Sequence, residues 1–539
     1  MQSTALTARR RRRELDELTA ETVDLLVVGG GVTGTGVALD AAARGLSVAL
    51  VEARDLAWGT SRWSSKLAHG GLRYLATGDV GVARESARER HVLMTRTAPH
   101  LVRALPQVLP LTPGTGRRRG LTVGIGFGLG DLLRRDAGTS SLVLPGPRLA
   151  RPGEVARLVP AVARERLHGA WIAHDGQLVD DARLVVALAR TAAGRGAKIL
   201  TRVKAINLRA DGATLEDTLT GASLTVRARV VVNATGVWAG TVDPSVRLRP
   251  SRGTHVVVPA ARLGNPTGAL MVPVPGSGSR YVFALPAQLG RVVVGLTDEE
   301  APGPVPDVPV ATQAEIDFLL ETVSGVLVRP LLPDDVVGTF AGLRPLVDTA
   351  GSSDGPSADV SRKHLVEVSP STGAVNVLGG KLTTYRTMAE DAVDLAVKHA
   401  GLTAGPCWTT ALPLVGAPSL VGPGVSTGST SGTGSTSGAG GGAGGGLPDS
   451  LVARYGTEAA EVLAAAVLPG SASAVGQGMT GAAHLDITRA EVEWAVTHEG
   501  ALDADDVLDR RTRIGLVPAD RAAVRDVVEE LVADALARL

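Results

Sequence analysis

Hydrophobic and polar positions along the chain change period several times. Residues 24–28, DLLVV, form a compact apolar run that ends in the glycines of GGGVTGTG. An alanine-rich helical pattern follows to Arg44, and SVALVE at 47–52 is again a short apolar run. The order strand, glycine turn, helix, strand requires a crossover that leaves the two strands parallel. From about 80 to 160 the pattern is helical and loop-like, with prolines at 99, 106, 110 and 113. Residues 171–200 predict a helix with a strand after it, and 227–240 a buried strand meeting a glycine turn. Between 250 and 300 the runs THVVVP, ALMVPV, RYVFAL and RVVVGL alternate with Pro and Gly, as an antiparallel sheet should. Residues 375–400 return to strand, glycine pair and helix.

The segment 421–447 is almost wholly Gly, Ser, Thr, Ala and Pro, a composition that buries no core and behaves as a flexible linker. Beyond it, 448–539 is helical by period, which predicts a separate small helical domain. The length of 539 residues calls for more than one core, and with 44% apolar but only 3% aromatic residues those cores are built from Val, Leu and Ala. A formal net charge of +1 argues against nucleic acid as a partner. One cysteine, Cys407, excludes a disulfide framework or a thiolate metal cluster and reads as a small buried side chain.

The basic run Arg9–Arg13 is not followed by an apolar core, so it reads as a disordered arm over 1–20, not a signal peptide. No segment reaches the roughly 20 apolar residues that span a bilayer. The nearest, LTVGIGFGLGDLL at 121–133, is either a buried turn-rich segment or a surface-lying membrane contact, and its glycines and Asp131 favour burial. The expected location is cytoplasmic, peripheral at most on the inner membrane face.

Gly29-x-Gly31-x-x-Gly34 follows a strand and opens a helix. Its glycines permit a tight turn, close backbone approach to a pyrophosphate and close helix–strand packing. Glu52 ends the second strand, where a carboxylate accepts hydrogen bonds from a ribose. The motif alone leaves FAD and NAD open. NATG at 233–236 on a later strand, with Ala234 and Gly236, and the pair Gly379–Gly380 before a helix favour a flavin. The fold class is therefore α/β: a Rossmann-like FAD-binding domain, interleaved over 21–420 with an antiparallel substrate sheet at about 245–345, plus the C-terminal helical domain.

SSKLAHGGLRYL, residues 64–75, holds one of only six lysines among 55 basic residues. With GGGVTGTGVALDAAARGLSVALVE, RGTHVVV, AGLRPL and GGKLTTYR in the same order, it resembles the FAD-dependent glycerol-3-phosphate dehydrogenase family. The likeness runs from about 21 to 415 and resumes at 491–515. It implies FAD-dependent oxidation of sn-glycerol 3-phosphate to dihydroxyacetone phosphate, with hydride moving from C2 to flavin N5 and electrons passing to quinone. A related branch uses oxygen, and the resemblance suggests a homodimer. Carried over by motif, Arg73, Tyr74 and Lys381 hold the substrate phosphate, a dianion that needs cations and donors. His255 and Arg344 lie at the carbon being oxidised as base and alkoxide stabiliser, with Arg362 nearby. Ser64, Ser65 and Lys66 are assigned to FAD, as are Thr60, Gly71, Val203, Gly380 and Thr383.

No HExxH or CxxC is present, so metal hydrolysis has no support. Asp180 and Asp181 read as caps of the helix after them. An enzyme acting on another small hydroxy or amino acid would leave Arg73 and Lys381 without purpose, and a non-enzymatic flavin scaffold would leave the whole Arg, His and Lys set unexplained.

Overall fold

The computed structural model describes residues 2–539 except 72–73, 75–77, 113–116, 166, 278–279, 348–362 and 420–445. Two sheets organise it. The first is a mixed sheet whose parallel part has Thr22–Val28 between Ala222–Asn233 and Val48–Glu52, with Lys198–Thr201 beyond Val48–Glu52 and Val375–Leu378 beyond Ala222–Asn233. These short runs are buried on both faces, which explains their continuous Val and Leu. The helices Val32–Ala43, Asp181–Gly194 and Tyr385–Ala400 cover one face, through Val37, Leu184, Leu188 and Ala392.

The second sheet is built around Leu248–Pro259, which pairs antiparallel with Arg291–Gly295 and with Gly338–Val347. This matches the alternation expected between 250 and 300. The sheet extends further than that pattern indicated, because Val102–Pro110 and Ala170–Leu178 join it as neighbouring strands. The helical and loop-like reading of 80–160 is thus corrected at 102–110. On one side that strand is paired only at Gln107 and Val108, so Pro106 sits outside the short ladder, where a residue without N–H is tolerated. Likewise the helix expected from 171 begins only at Asp181, after the strand Ala170–Leu178.

The expected disordered arm is a helix, Ala8–Ala20, capped by Thr7, whose Oγ1 accepts from the Arg10 N–H. Arg10 bonds Glu14 at 2.6 Å and Arg11 bonds Asp217 at 2.6 Å, while Leu15 and Leu18 enter the core. The arginine run was misread because its i,i+4 acidic partner and the apolar stripe lie beyond the run itself. Residues 121–133 also differ from expectation. They lie in one helix, Arg117–Asp136, whose Gly124 leaves room for Trp171 and whose Phe127 is buried. The opposite stripe, Leu121, Ile125, Leu129 and Leu132, is 46–68% exposed, so the segment is neither turn-rich nor wholly buried. Among the described residues no helix is long and apolar enough to cross a membrane.

The C-terminal domain is helical: Arg489–Thr497 and Pro518–Ala537 enclose Val492, Leu508, Val528 and Leu531, and Asp449–Tyr455 packs through Leu451 and Tyr455 in a second cluster with Trp494. Most of the 421–447 linker falls outside the described residues. The domain docks through buried ion pairs: Arg183 with Glu499 at 2.8 Å, Arg190 with Glu458 at 2.6 Å, and Arg513 with Asp180 at 3.1 Å.

Candidate active site

The glycine turn has the geometry its spacing called for. Gly29 has φ +112°, and a Cβ there would lie 2.5 Å from the Ala234 carbonyl oxygen; at Gly34 it would lie 1.9 Å from the Gly29 oxygen. Gly31 caps the helix Val32–Ala43 with no side chain of its own to satisfy the first N–H groups, the arrangement that suits a phosphate. Glu52 closes the cradle, its Oε2 accepting from the Gly30 N–H at 2.6 Å and Oε1 from the Arg54 N–H at 2.8 Å. Burial raises its carboxyl above the ordinary range against those bonds. Gly236, at φ +59°, turns the chain just after Ala234. Val203 is placed with its side chain in the Leu15–Leu18 core, so only its backbone is available to a cofactor.

A second glycine turn precedes the helix at 385. Gly380 has φ +80° and lies against Met388, and the buried Thr383 hydroxyl has no hydrogen-bond partner among the described residues. Together with the first cradle, this orphaned hydroxyl fits a large dinucleotide cofactor lying across the ends of the parallel strands. Among the described residues no His, Cys, Asp and Glu cluster fits a metal.

The segment after Glu52 links the cradle to the second sheet. Thr60 Oγ1 donates to the Leu343 carbonyl at 2.6 Å, and Ser61 Oγ accepts from the Val32 N–H at 2.9 Å. Ser64 donates its N–H and hydroxyl to Asp181 at 2.9 and 2.7 Å, and Lys66 Nζ pairs with Asp181 at 3.3 Å. Asp180 caps the helix as its position suggested, accepting from the Arg183 N–H at 3.1 Å. Asp181 does not share that role: it is fully buried and holds Ser64 and Lys66 in place. Its side chain was legible only as a cap because its partners lie more than 100 residues away.

His255 is fully buried in the strand Leu248–Pro259. Its register partners are Gly295 on one side and Phe340 on the other. A Cβ on Gly295 would sit 2.1 Å from His255 Cδ2, so the imidazole lies across that glycine, and Phe340 stacks on it at 4.6 Å. Ser65 Oγ is 2.8 Å from His255 Nε2, while Nδ1 has no hydrogen-bond partner among the described residues. Burial, then the Lys66 and Arg344 charges, hold the imidazole neutral, with its pKa pushed down to about 3. Arg344 pairs across the sheet with Ser251 and fills the space left by Gly253. Its Nη1 donates to Asp298 at 3.0 Å and Nη2 to the Thr297 carbonyl at 3.0 Å. Sequence reasoning missed Asp298, Phe340, Gly253 and Gly295; the glycines of SRGTH and VVVGL were the available signal.

A further group forms around Lys381, whose Nζ lies 4.1 Å above the Tyr74 ring and donates to Ser86 at 2.7 Å. His69 lies 6.4 Å from Tyr74, ring to ring, and Gly71, at φ +76°, packs on Ala83 and Ser86. Leu67–Ala68, next to Lys66, packs on the turn Leu382–Thr384 and so brings the Lys381 group toward the His255 group. Arg73 and Arg362 lie outside the described residues. Cys407 is half-buried, not fully buried, its thiol donating to Asp40 at 3.0 Å.

Comparisons with known proteins identify the family. The FAD dependent oxidoreductase family matches residues 24–386, and the C-terminal domain of alpha-glycerophosphate oxidase matches 407–538. Glycerol-3-phosphate dehydrogenase 1 of Mycobacterium tuberculosis is 54% identical over 530 residues, 98% of each chain. The mitochondrial glycerol-3-phosphate dehydrogenase of Arabidopsis thaliana is 35% identical and covers 96% of this chain and 83% of its own. The glycerol-3-phosphate dehydrogenase structure from Bacillus halodurans, complexed with FAD, superposes with a TM-score of 0.69 at 25% identity, over 99% of this chain and 96% of that one. The chain belongs to the FAD-dependent glycerol-3-phosphate dehydrogenase family and takes FAD as its cofactor.

Proposed function

We propose that this enzyme oxidises sn-glycerol 3-phosphate at C2 to dihydroxyacetone phosphate and delivers the electrons to a membrane quinone. The observation that carries the reading is the buried, neutral His255 beside Arg344, with Lys381 and Tyr74 brought toward it by the 64–75 segment. FAD, which the Gly29–Gly34 cradle and Glu52 would hold, would supply the two-electron acceptor for the C2 hydride. Tyr74 and Lys381, with Arg73, bind the substrate phosphate through charge-assisted bonds, and Arg362 lies near the carbon being oxidised. His255 accepts the C2 hydroxyl proton, its Nδ1 having no hydrogen-bond partner among the described residues. Arg344, oriented by Asp298 and Thr297, stabilises the alkoxide that develops as the proton leaves.

Quinone is favoured over oxygen by the exposed stripe Leu121, Ile125, Leu129 and Leu132, which suits a helix lying in a membrane surface. The domain boundaries at 420 and 447 and a homodimeric state belong to the same reading. The test is anaerobic addition of glycerol 3-phosphate to the purified flavoprotein. Bleaching of the flavin band, lost in Arg344→Ala and Lys381→Ala, supports the assignment, and a flavin that stays oxidised refutes it. Readmitting oxygen or a quinone analogue then identifies the acceptor.

A further inference from the structure

The segment 53–66 carries the residues read as cofactor contacts, yet it has little regular structure of its own. It contains one short 3-10 turn, Thr60–Arg62, and two non-glycine residues in the left-handed region, Ala57 at φ +60° and Lys66 at φ +57°. Such conformations persist only where surrounding contacts impose them. The segment also buttresses the glycine cradle: Ala57 N–H donates to the Gly30 carbonyl at 2.9 Å and Ser61 Oγ accepts from Val32 N–H.

What grips this segment comes from the C-terminal domain. Near its start, Asp55 is fully buried and receives a bidentate pair from Arg511 at 2.7 and 2.9 Å and a further bond from Arg510 at 2.5 Å. Near its end, Arg513 donates to the Arg62 carbonyl and pairs with Asp180 at 3.1 Å, next to the Asp181 that holds Ser64 and Lys66. The indoles of Trp58, between the two grips, and Trp63, just after the second, lie under cations: Arg510 is 4.9 Å from the Trp58 ring and Arg513 5.2 Å from the Trp63 ring. Arg513 is itself left-handed, at φ +63°, which aims its side chain back into the first domain.

We propose that Arg510, Arg511 and Arg513 are positioning residues that clamp the 53–66 segment in its cofactor-binding conformation, so that retention of FAD depends on the docked C-terminal domain. The proposal rests on the reading of this segment as part of the FAD site. Buried carboxylates explain why the clamp uses arginine: a planar fork satisfies both oxygens of Asp55, which a lysine cannot do.

The test titrates FAD into deflavinated full-length protein and follows flavin fluorescence, with no substrate present, so its outcome is independent of the substrate assignment. Arg511→Met and Arg513→Met are each expected to weaken FAD binding at least about tenfold, the change that corresponds to about 1.4 kcal/mol. Glu458→Gln removes an interdomain ion pair of the same kind, to Arg190, that does not touch the segment, and is expected to leave FAD binding within about twofold of the parent. If Arg511→Met does not fold, Asp55→Asn with Arg511→Met removes the same grip without leaving an unpaired buried carboxylate. Clamp variants that fold and hold FAD as tightly as the parent would overturn the proposal. So would a Glu458→Gln protein that loses FAD to the same degree.

Discussion

Gly34→Ala puts the glycine cradle to a quantitative test. A Cβ at this position would lie 1.9 Å from the Gly29 oxygen and 3.0 Å from its carbon. Both are backbone atoms, so no flexible side chain can move aside. Restoring a tolerable contact of about 3 Å requires the helix start to retreat from the strand end by roughly 1 Å, an overpacking strain of about 1–3 kcal/mol. The same shift carries the helix-start N–H groups away from the pyrophosphate position. Losing two charge-assisted hydrogen bonds, each contributing about 1.5–3 kcal/mol, weakens FAD by roughly two to four orders of magnitude. Gly128→Ala is the matched control. It lies in the helix Arg117–Asp136 with nothing within 4 Å of its Cβ, and is expected to stabilise that helix by up to about 1 kcal/mol. The assay is FAD titration of the apoproteins alongside thermal unfolding. A Gly34→Ala protein that binds FAD within about tenfold of the parent would refute the reasoning, because that factor equals only about 1.4 kcal/mol.

Lys381→Met is expected to leave the FAD content intact while weakening glycerol 3-phosphate binding roughly 10- to 100-fold, measured by anaerobic spectral titration. His255 has a folded pKa below its unfolded value, so it contributes stability above about pH 6.5 that is lost as pH falls toward 3. Between pH 7 and pH 5 the loss amounts to about 2 kcal/mol, and His255→Asn should reduce the acid sensitivity seen in denaturant titrations by that amount; an unchanged slope would contradict a buried neutral imidazole. Ile125→Glu with Leu129→Glu is expected to cut co-sedimentation with anionic lipid vesicles at least about tenfold, while flavin reduction in solution stays unchanged. Equal sedimentation of parent and variant would remove the support for a membrane-facing stripe.

Short-range grammar carried much of this protein. The cradle at Gly29, Gly31 and Gly34, the strand ending at Glu52, the glycine pair before the helix at 385 and the helical C-terminal domain were all legible from residue type and spacing. Those features depend on neighbours within a few turns of chain, where backbone sterics and period dominate. Tertiary packing decided the rest. The arginine run at 9–13 became a docked helix because Leu15, Leu18 and Asp217 met it, and the glycine-rich 121–133 stretch became a helix because Trp171 lies against Gly124. Asp181 holds Lys66, Ser65 faces His255, and Arg511 reaches Asp55 across 456 positions of sequence. The identity of each of those side chains is local, but its charge state and partner come from burial among residues distant in sequence, and only the folded chain brings them within bonding distance.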